Sequence, residues 1–282
     1  MTAGTRRASG VGARLAEIFT PAQVIDLTVP LDETLPCTWP GHMPFRATVS
    51  TWFTDRPDDP QPVHAGDGAY QTRWLVLDEH TGTHVDAARH FVPPPGSGLP
   101  NAGPAGRVGV ADLPLLAASG PACVIDVRRL LDTSSPGTSP PITAAHIAAW
   151  ESQCGPLAEG DVVLFRTGWD RYYRPGAAGA HYGADVLTTG TVCGWPAPTA
   201  ETVRVLVERG VRCIGIDGLS IGPAEDGAPT HLAGLRDGAV FVEALTRLDR
   251  LPYCGSWFLF LPLRLVGGTG GPGRAIAVVE RS

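Results

Sequence analysis

The chain has 282 residues, 43% of them hydrophobic, enough for a sizeable core in one large domain or two small ones. Its formal net charge of −6 leaves no basic stripe to neutralise phosphates, which argues against a nucleic-acid partner. All 22 basic residues are arginine, and without lysine there is no Schiff-base chemistry, no pyridoxal phosphate attachment and no P-loop. The six cysteines, at positions 37, 123, 154, 193, 213 and 254, include no C-x-x-C pair. They read as reduced, small apolar residues, with neither a disulfide framework nor a thiolate zinc site suggested. Arg6 and Arg7 are not followed by an apolar run, and no stretch approaches about 18 apolar residues, so a cytoplasmic protein without a membrane span is expected.

Residues 1–20 read as an N-terminal extension, frayed over 1–10 and with one or two helical turns in Ala13–Phe19. Residues 21–282 are expected to form a single domain, since no linker divides them and no repeat is evident. Val24–Val29 is a short strand. Leu31–Phe45 is crowded with Pro and Gly around Cys37-Thr38-Trp39-Pro40-Gly41-His42, an irregular loop whose Trp39 either borders a pocket or packs beneath the loop. Ala47–Phe53 and Tyr70–Leu77 read as strands.

The second of these runs straight into Asp78-Glu79-His80-Thr81-Gly82-Thr83-His84-Val85-Asp86-Ala87-Ala88-Arg89-His90-Phe91, which holds three of the eight histidines. The pattern His-x3-His-x-Asp-x3-His points to a metal site. His80, His84, Asp86 and His90 share parity with Gly82, so an extended chain would set them on one face. A helix would not, because at about 100° per residue Asp86 falls roughly 160° from His84. A straight strand would hold the α-carbons of His80 and His84 about 13 Å apart, barely spannable by two imidazoles with metal bonds of about 2 Å. The chain should therefore bend, and Gly82 permits it.

Pro93–Gly98 is a surface loop, and Ala122–Val127 and Asp161–Arg166 are continuous apolar strands of the kind buried on both faces. Between them a Ser/Pro/Gly connector at 134–141 leads to a helix capped by Thr143 and running to Gln153. Residues 174–198, rich in Gly, Ala and Pro, look like an inserted lid. Thr199 caps a helix over Ala200–Arg209 with an apolar stripe of Val203, Leu206 and Val207, and Gly210 ends it. Val211–Asp217 is the next strand. Strand, helix and strand of this kind predict an α/β or mixed architecture with a covered sheet. Trp257–Val266 and Ala275–Val279 close the chain as strands around a glycine turn at 267–273.

Two further candidates lie in this half. Gly218-Leu219-Ser220-Ile221-Gly222 matches the G-x-S-x-G nucleophile elbow and follows a strand. The helix that motif needs is interrupted by Pro223 and the turn at Asp226–Pro229, and His231 is too close in sequence to be the triad partner. Ser220 therefore reads as a turn hydroxyl or a hydrogen-bond donor; with Trp39 it is the candidate substrate contact. The second candidate is a pair. His231 opens a short helix over His231–Arg236 that Gly238 stops, and Glu243 sits inside the apolar strand Ala239–Leu245, where an unpartnered carboxylate is costly. Alone, Glu243 suggests a salt bridge to an arginine; beside a site holding two histidines and an aspartate, ligation is favoured.

These residues resemble the cyclase family of metal-dependent hydrolases, which includes bacterial kynurenine formamidases and isatin hydrolases. Its hallmark H-x-G-T-H-x-D-A-P-x-H stands here as His80-Thr81-Gly82-Thr83-His84-Val85-Asp86-Ala87-Ala88-Arg89-His90. The likeness extends to Asp26–Pro30, Leu164–Trp169, Gly215–Asp217, Pro262–Arg264 and Gly273–Ala275, and the spacing of His231 and Glu243 fits the family pattern. The resemblance implies a mixed α/β fold of the swivelling β/β/α type, with a central mixed sheet flanked by helices, in a homodimer or homotetramer. It implies that His80, His84 and Asp86 bind one divalent ion, that Asp86 can bridge to a second held by His231 and Glu243, and that His90 is the acid/base. Zn²⁺ or Mn²⁺ suits such a ligand set. The implied reaction is hydrolysis of an amide, formamide, lactam or ester of a small aromatic substrate. Ala88 replaces the usual proline, and Gly222 stands where many members carry an acid, which bears on substrate. Three competitors are metal-assisted cyclisation or dehydration in natural-product biosynthesis, serine esterase chemistry at Ser220, and metal or ligand binding without turnover.

Overall fold

The computed structural model of the chain describes residues 10–53, 64–65 and 70–281. In chain order its strands are β1 (Ala22–Asp26), β2 (Arg46–Trp52), β3 (His64–Ala65), β4 (Thr72–Val76), β5 (His84–Asp86), β6 (Ser119–Asp126), β7 (Pro141–Ile142), β8 (Val162–Arg166), β9 (Ala197–Pro198), β10 (Cys213–Ile216), β11 (Val240–Glu243), β12 (Ser256–Pro262) and β13 (Gly270–Glu280). The α-helices are α1 (Val11–Phe19), α2 (Ala144–Cys154), α3 (Ala177–Ala180), α4 (Ala184–Thr189), α5 (Ala200–Glu208) and α6 (Ala228–Leu235).

The main sheet runs β1-β13-β12-β6-β8-β10-β11-β5, and β5 pairs with β13 as well as β11, so every strand but β1 belongs to a closed ring. β6, β8, β10 and β11 are parallel neighbours, while β5, β12 and β13 join antiparallel, which makes the sheet mixed. Length in β13 allows the closure: Gly270–Pro272 pairs with β5, Gly273–Val278 with β12 and Ile276–Glu280 with β1. Period-two alternation then sorts the side chains. Val124, Leu164, Val242, Phe258 and Ala275 pack together inside the ring. Their neighbours Ile125, Phe165, Ile216 and Phe241 face outward and are covered by α2, α5 and α6 through Ile147, Trp150, Leu206 and Leu235. This is the mixed sheet flanked by helices that the sequence led us to expect.

Local signals explain most element ends. The Thr199 hydroxyl accepts the Thr202 N–H at 3.1 Å and caps α5, and Gly210, at φ +88°, follows its end. Some boundaries differ from expectation: the strand expected over Val24–Val29 is Ala22–Asp26, the one expected over Trp257–Val266 stops at Pro262, and two further differences have a clear cause. α6 begins at Ala228, ahead of His231, because Pro229 lies in the first turn, where its missing N–H costs no helical bond. β13 begins at Gly270, inside the stretch expected to be a turn, because β5 supplies a partner there.

Residues 174–198 form α3, α4 and β9, exposed over 174–178 and 188–191 and anchored by buried aromatic residues between and after these stretches. Tyr182 and Trp195 are fully buried with Trp169, Leu219 and Ala244 in a third apolar cluster. The Trp169 indole donates to the Tyr182 carbonyl at 3.0 Å and the Trp195 indole to the Gly222 carbonyl at 2.9 Å. β2, β3 and β4 make a separate three-stranded sheet on which all of β4 is exposed. α1 buries none of its residues, and the expected fraying before it falls on residues 1–9, outside the described residues.

Candidate metal and catalytic site

β5 and β11 form the floor of the site. In β5 Val85 points into the ring, so His84 and Asp86 point the other way; in β11 Val240 and Val242 point in, and Glu243 out. The antiparallel register sets Glu243 directly opposite His84 and Phe241 opposite Asp86. α6 closes the far side with His231, and the four side chains are buried to between 0% and 5% exposure. Ahead of β5 the chain bends at Gly82, φ +61°, and carries His80 back over the strand. His90 is not on the extended face that parity suggested. It lies in a 3₁₀ turn over Ala88–His90, its ring stacked on His80 with centroids 4.0 Å apart.

Donor atoms converge around Asp86. Its Oδ1 lies 2.9 Å from His80 Nδ1 and 3.5 Å from His84 Nε2, and its Oδ2 lies 3.5 Å from His231 Nε2. Glu243 faces the same two nitrogens, Oε2 at 3.5 Å from His84 Nε2 and Oε1 at 3.3 Å from His231 Nε2. His80, His84 and Asp86 form one potential ligand group and Asp86, His231 and Glu243 a second, with the donor atoms of each inside 4.8 Å. The backbone fixes two of the imidazoles. Nδ1 of His84 contacts the Gly82 carbonyl at 2.8 Å and Nδ1 of His231 the Gly227 carbonyl at 2.7 Å. A carbonyl only accepts, so Nδ1 carries a proton and Nε2 is the atom turned to the carboxylates, a lone pair in the neutral ring and an N–H in the imidazolium.

With both rings neutral, lone pairs would face lone pairs. Both oxygens of Asp86 and Nδ1 of His80 are buried without a hydrogen-bond partner; the 2.9 Å approach of the two residues is close but misaligned for a hydrogen bond. Buried polar atoms in that state are rare unless an ion or a water satisfies them. Charge says the same. Burial would push the His84 imidazole down, but the Asp86 and Glu243 carboxylates hold it up at about 10. Burial and the Asp86 charge would raise Glu243, yet His231 and His84 keep it at about 2. A buried pocket with two carboxylates takes up positive charge, as protons on its imidazoles or as a cation. The residues present fit a divalent ion. His90 differs, since burial pushes it down to about 4 despite the nearby Asp86, so at neutral pH it is an uncharged base.

Ser220 is brought to the site in a supporting position. Its hydroxyl donates to Glu243 Oε1 at 3.1 Å, and the Ile221 N–H donates to the same oxygen at 2.7 Å. Ser220, His231 and Glu243 do not make a nucleophilic triad: serine and acid both face Nε2 of His231, whereas a triad needs the acid on the other ring nitrogen, here taken by Gly227. Trp39 is half-buried and lies edge-on to Trp195, centroids 6.1 Å apart, in the cluster containing Leu219 and Ala244, the neighbours of Ser220 and Glu243. Three contributors were not singled out in the sequence. Phe91 stacks on His231 at 4.1 Å, and Glu79 and Thr269 join His80 from behind. Thr269 lies in a glycine run that read as a turn, and Glu79 was one acid among many.

Comparison with known proteins agrees with this architecture. The Cyclase family model matches residues 25–223. Isatin hydrolase of Roseibium aggregatum is 32% identical over 223 residues, covering 74% of this chain and 75% of that protein. Kynurenine formamidase of Salinibacter ruber is 29% identical over 245 residues, 84% of this chain and 89% of its own. A crystal structure of an isatin hydrolase bound to the product analogue thioisatinate superposes with a TM-score of 0.74 at 25% identity, covering 100% of both chains. The chain belongs to the Cyclase family, and with these relatives it is a hydrolase.

Proposed function

We propose that the protein is a metal-dependent hydrolase that cleaves a cyclic or open-chain amide bond of a small aromatic molecule. The observation that carries this reading is the buried convergence of His80, His84, Asp86, His231 and Glu243, with both Asp86 oxygens and Nδ1 of His80 lacking a hydrogen-bond partner. One or two divalent ions, Zn²⁺ or Mn²⁺, would be held there, with Asp86 offering one oxygen to each half of the site. Such an ion supplies Lewis acidity and makes hydroxide available at neutral pH. The protein supplies the rest. His90, uncharged and stacked against His80, accepts the proton released as water attacks the carbonyl and returns it to the leaving nitrogen. Phe91, lying flat on His231, keeps bulk water from that side. Ser220 holds Glu243 through its hydroxyl, and Trp39 offers an aromatic edge for the substrate ring.

The named relatives support an aromatic amide as substrate: one is an isatin hydrolase and one a kynurenine formamidase. The test is turnover of isatin and of a formanilide in ¹⁸O-labelled water by wild type and His90→Ala. Hydrolysis puts one label into the acid product, and loss of His90 lowers turnover by about 10²–10⁴ with metal content retained. A ring-closed or dehydrated product without label would overturn hydrolysis in favour of cyclisation.

We also propose a homodimer or homotetramer. Trp74 is 71% exposed in a strand whose residues are all exposed, an edge that proteins seldom leave uncovered.

A further inference from the structure

Two of the metal-facing imidazoles are held by backbone carbonyls, and the third is held by side chains. Nε2 of His80 lies 2.9 Å from the Thr269 hydroxyl oxygen. That hydroxyl donates to Glu79 Oε1, and Glu79 Oε2 accepts the Thr269 N–H at 3.0 Å. A carboxylate only accepts, and a threonine hydroxyl has one hydrogen. With that hydrogen committed to Glu79, the Thr269 oxygen can only accept from His80. The proton of the imidazole is therefore on Nε2, and Nδ1, the atom 2.9 Å from Asp86 Oδ1, is bare.

The surroundings are built for this chain of contacts. The Ala87 N–H donates to the Thr269 carbonyl at 2.9 Å, extending the β5–β13 ladder so that Thr269 is fixed in register behind the motif. The flanking glycines leave room for it: a Cβ on Gly268 would come within 2.8 Å of Glu79 Oε2, and one on Gly270 within 2.6 Å of His80 Cε1.

Resting on the metal-site reading above, we infer that Glu79 and Thr269 are positioning residues that set the tautomer of His80 and thereby the metal affinity of the site. His84 and His231 need no such pair. The polarity of the relay is the testable part. In Glu79→Gln the new NH₂ donates to Thr269, the hydroxyl hydrogen turns to Nε2 of His80, and the ring proton is driven to Nδ1, where it competes with the metal. Thr269→Val keeps the branched shape and removes the hydroxyl, whereas Thr269→Ser keeps the hydroxyl.

The experiment is a Zn²⁺ titration of each variant against a chromophoric chelator, with long-range ¹H–¹⁵N spectra of the Zn²⁺-loaded wild type. The dissociation constant is expected to rise about 10–100-fold in Glu79→Gln and Thr269→Val, the range for lost partners of a metal ligand, and to stay within about twofold in Thr269→Ser. The spectra are expected to place the His80 proton on Nε2. Equal affinity across all four proteins, an equal loss in Thr269→Ser and Thr269→Val, or a His80 proton on Nδ1 overturns the inference while leaving the metal site standing. A wild type that binds no Zn²⁺ overturns both.

Discussion

At the scale of single residues, the buried carboxylates of Asp86 and Glu243 draw in positive charge, as protons on the imidazoles or as a cation. This has a consequence for stability of the metal-free protein. His84 is held at about 10 in the folded chain against 6.5 for the free side chain, so its contribution is fully present below about pH 6.5 and is lost as pH rises through 10. Glu243, held at about 2 against 4.5, contributes above 4.5 and loses its share as pH falls toward 2. These are two ends of one attraction among His84, His231, Asp86 and Glu243. The metal-free protein is therefore expected to melt at a lower temperature at pH 9 than at pH 7, and saturation with Zn²⁺ should shrink that difference because the ion replaces the protons. Calorimetry at the two pH values, with and without metal, checks it. An unchanged pH dependence on adding metal would count against the ligand set. The residues of the hallmark motif were legible in sequence because histidine is scarce here and its spacing is specific. Glu79 and Thr269 were not, because a hydrogen-bonding role between residues 190 positions apart leaves no periodic trace.

At the scale of elements, the site exists because two three- or four-residue strands meet in register. The shared parity of His84 and Asp86 and the apolar run Ala239–Leu245 were readable as extended chain, but the pairing of β5 with both β11 and β13 depends on long-range closure that no local pattern encodes. For the same reason Gly270 read as turn when it opens β13; Pro229 read as a helix breaker although it lies in the first turn of α6, where a proline costs no helical bond. The 174–198 segment looked like a lid from its Gly and Pro content. Its anchors, Tyr182 and Trp195, make it part of the packing around Ser220 and Glu243. Trp195→Ala leaves a cavity in that cluster and removes the hydrogen bond to Gly222, so a destabilisation of about 3–5 kcal/mol is expected by urea unfolding. A loss below about 1 kcal/mol would show that the segment moves independently of the core.

At the scale of the molecule, a ring of seven strands carries its polar site on the outer, helix-covered face, near the one place where antiparallel β5 bridges the parallel strands to β13. No helix among the described residues is long and apolar enough to cross a membrane. Sedimentation equilibrium checks the oligomer: a dimer or tetramer mass is expected, and a monomer at micromolar concentration would contradict the proposed burial of the Trp74 edge. The central claim is that five side chains from β5, α6, β11 and the Gly82 bend hold the divalent metal on which hydrolysis depends. Measuring metal content and turnover of an aromatic amide on one sample, before chelation, after it and after adding back Zn²⁺ or Mn²⁺, tests it most directly. One or two divalent ions per chain are expected, with turnover lost when the metal is removed and recovered when it returns; a metal-free protein that still hydrolyses the amide would contradict the proposed metal site.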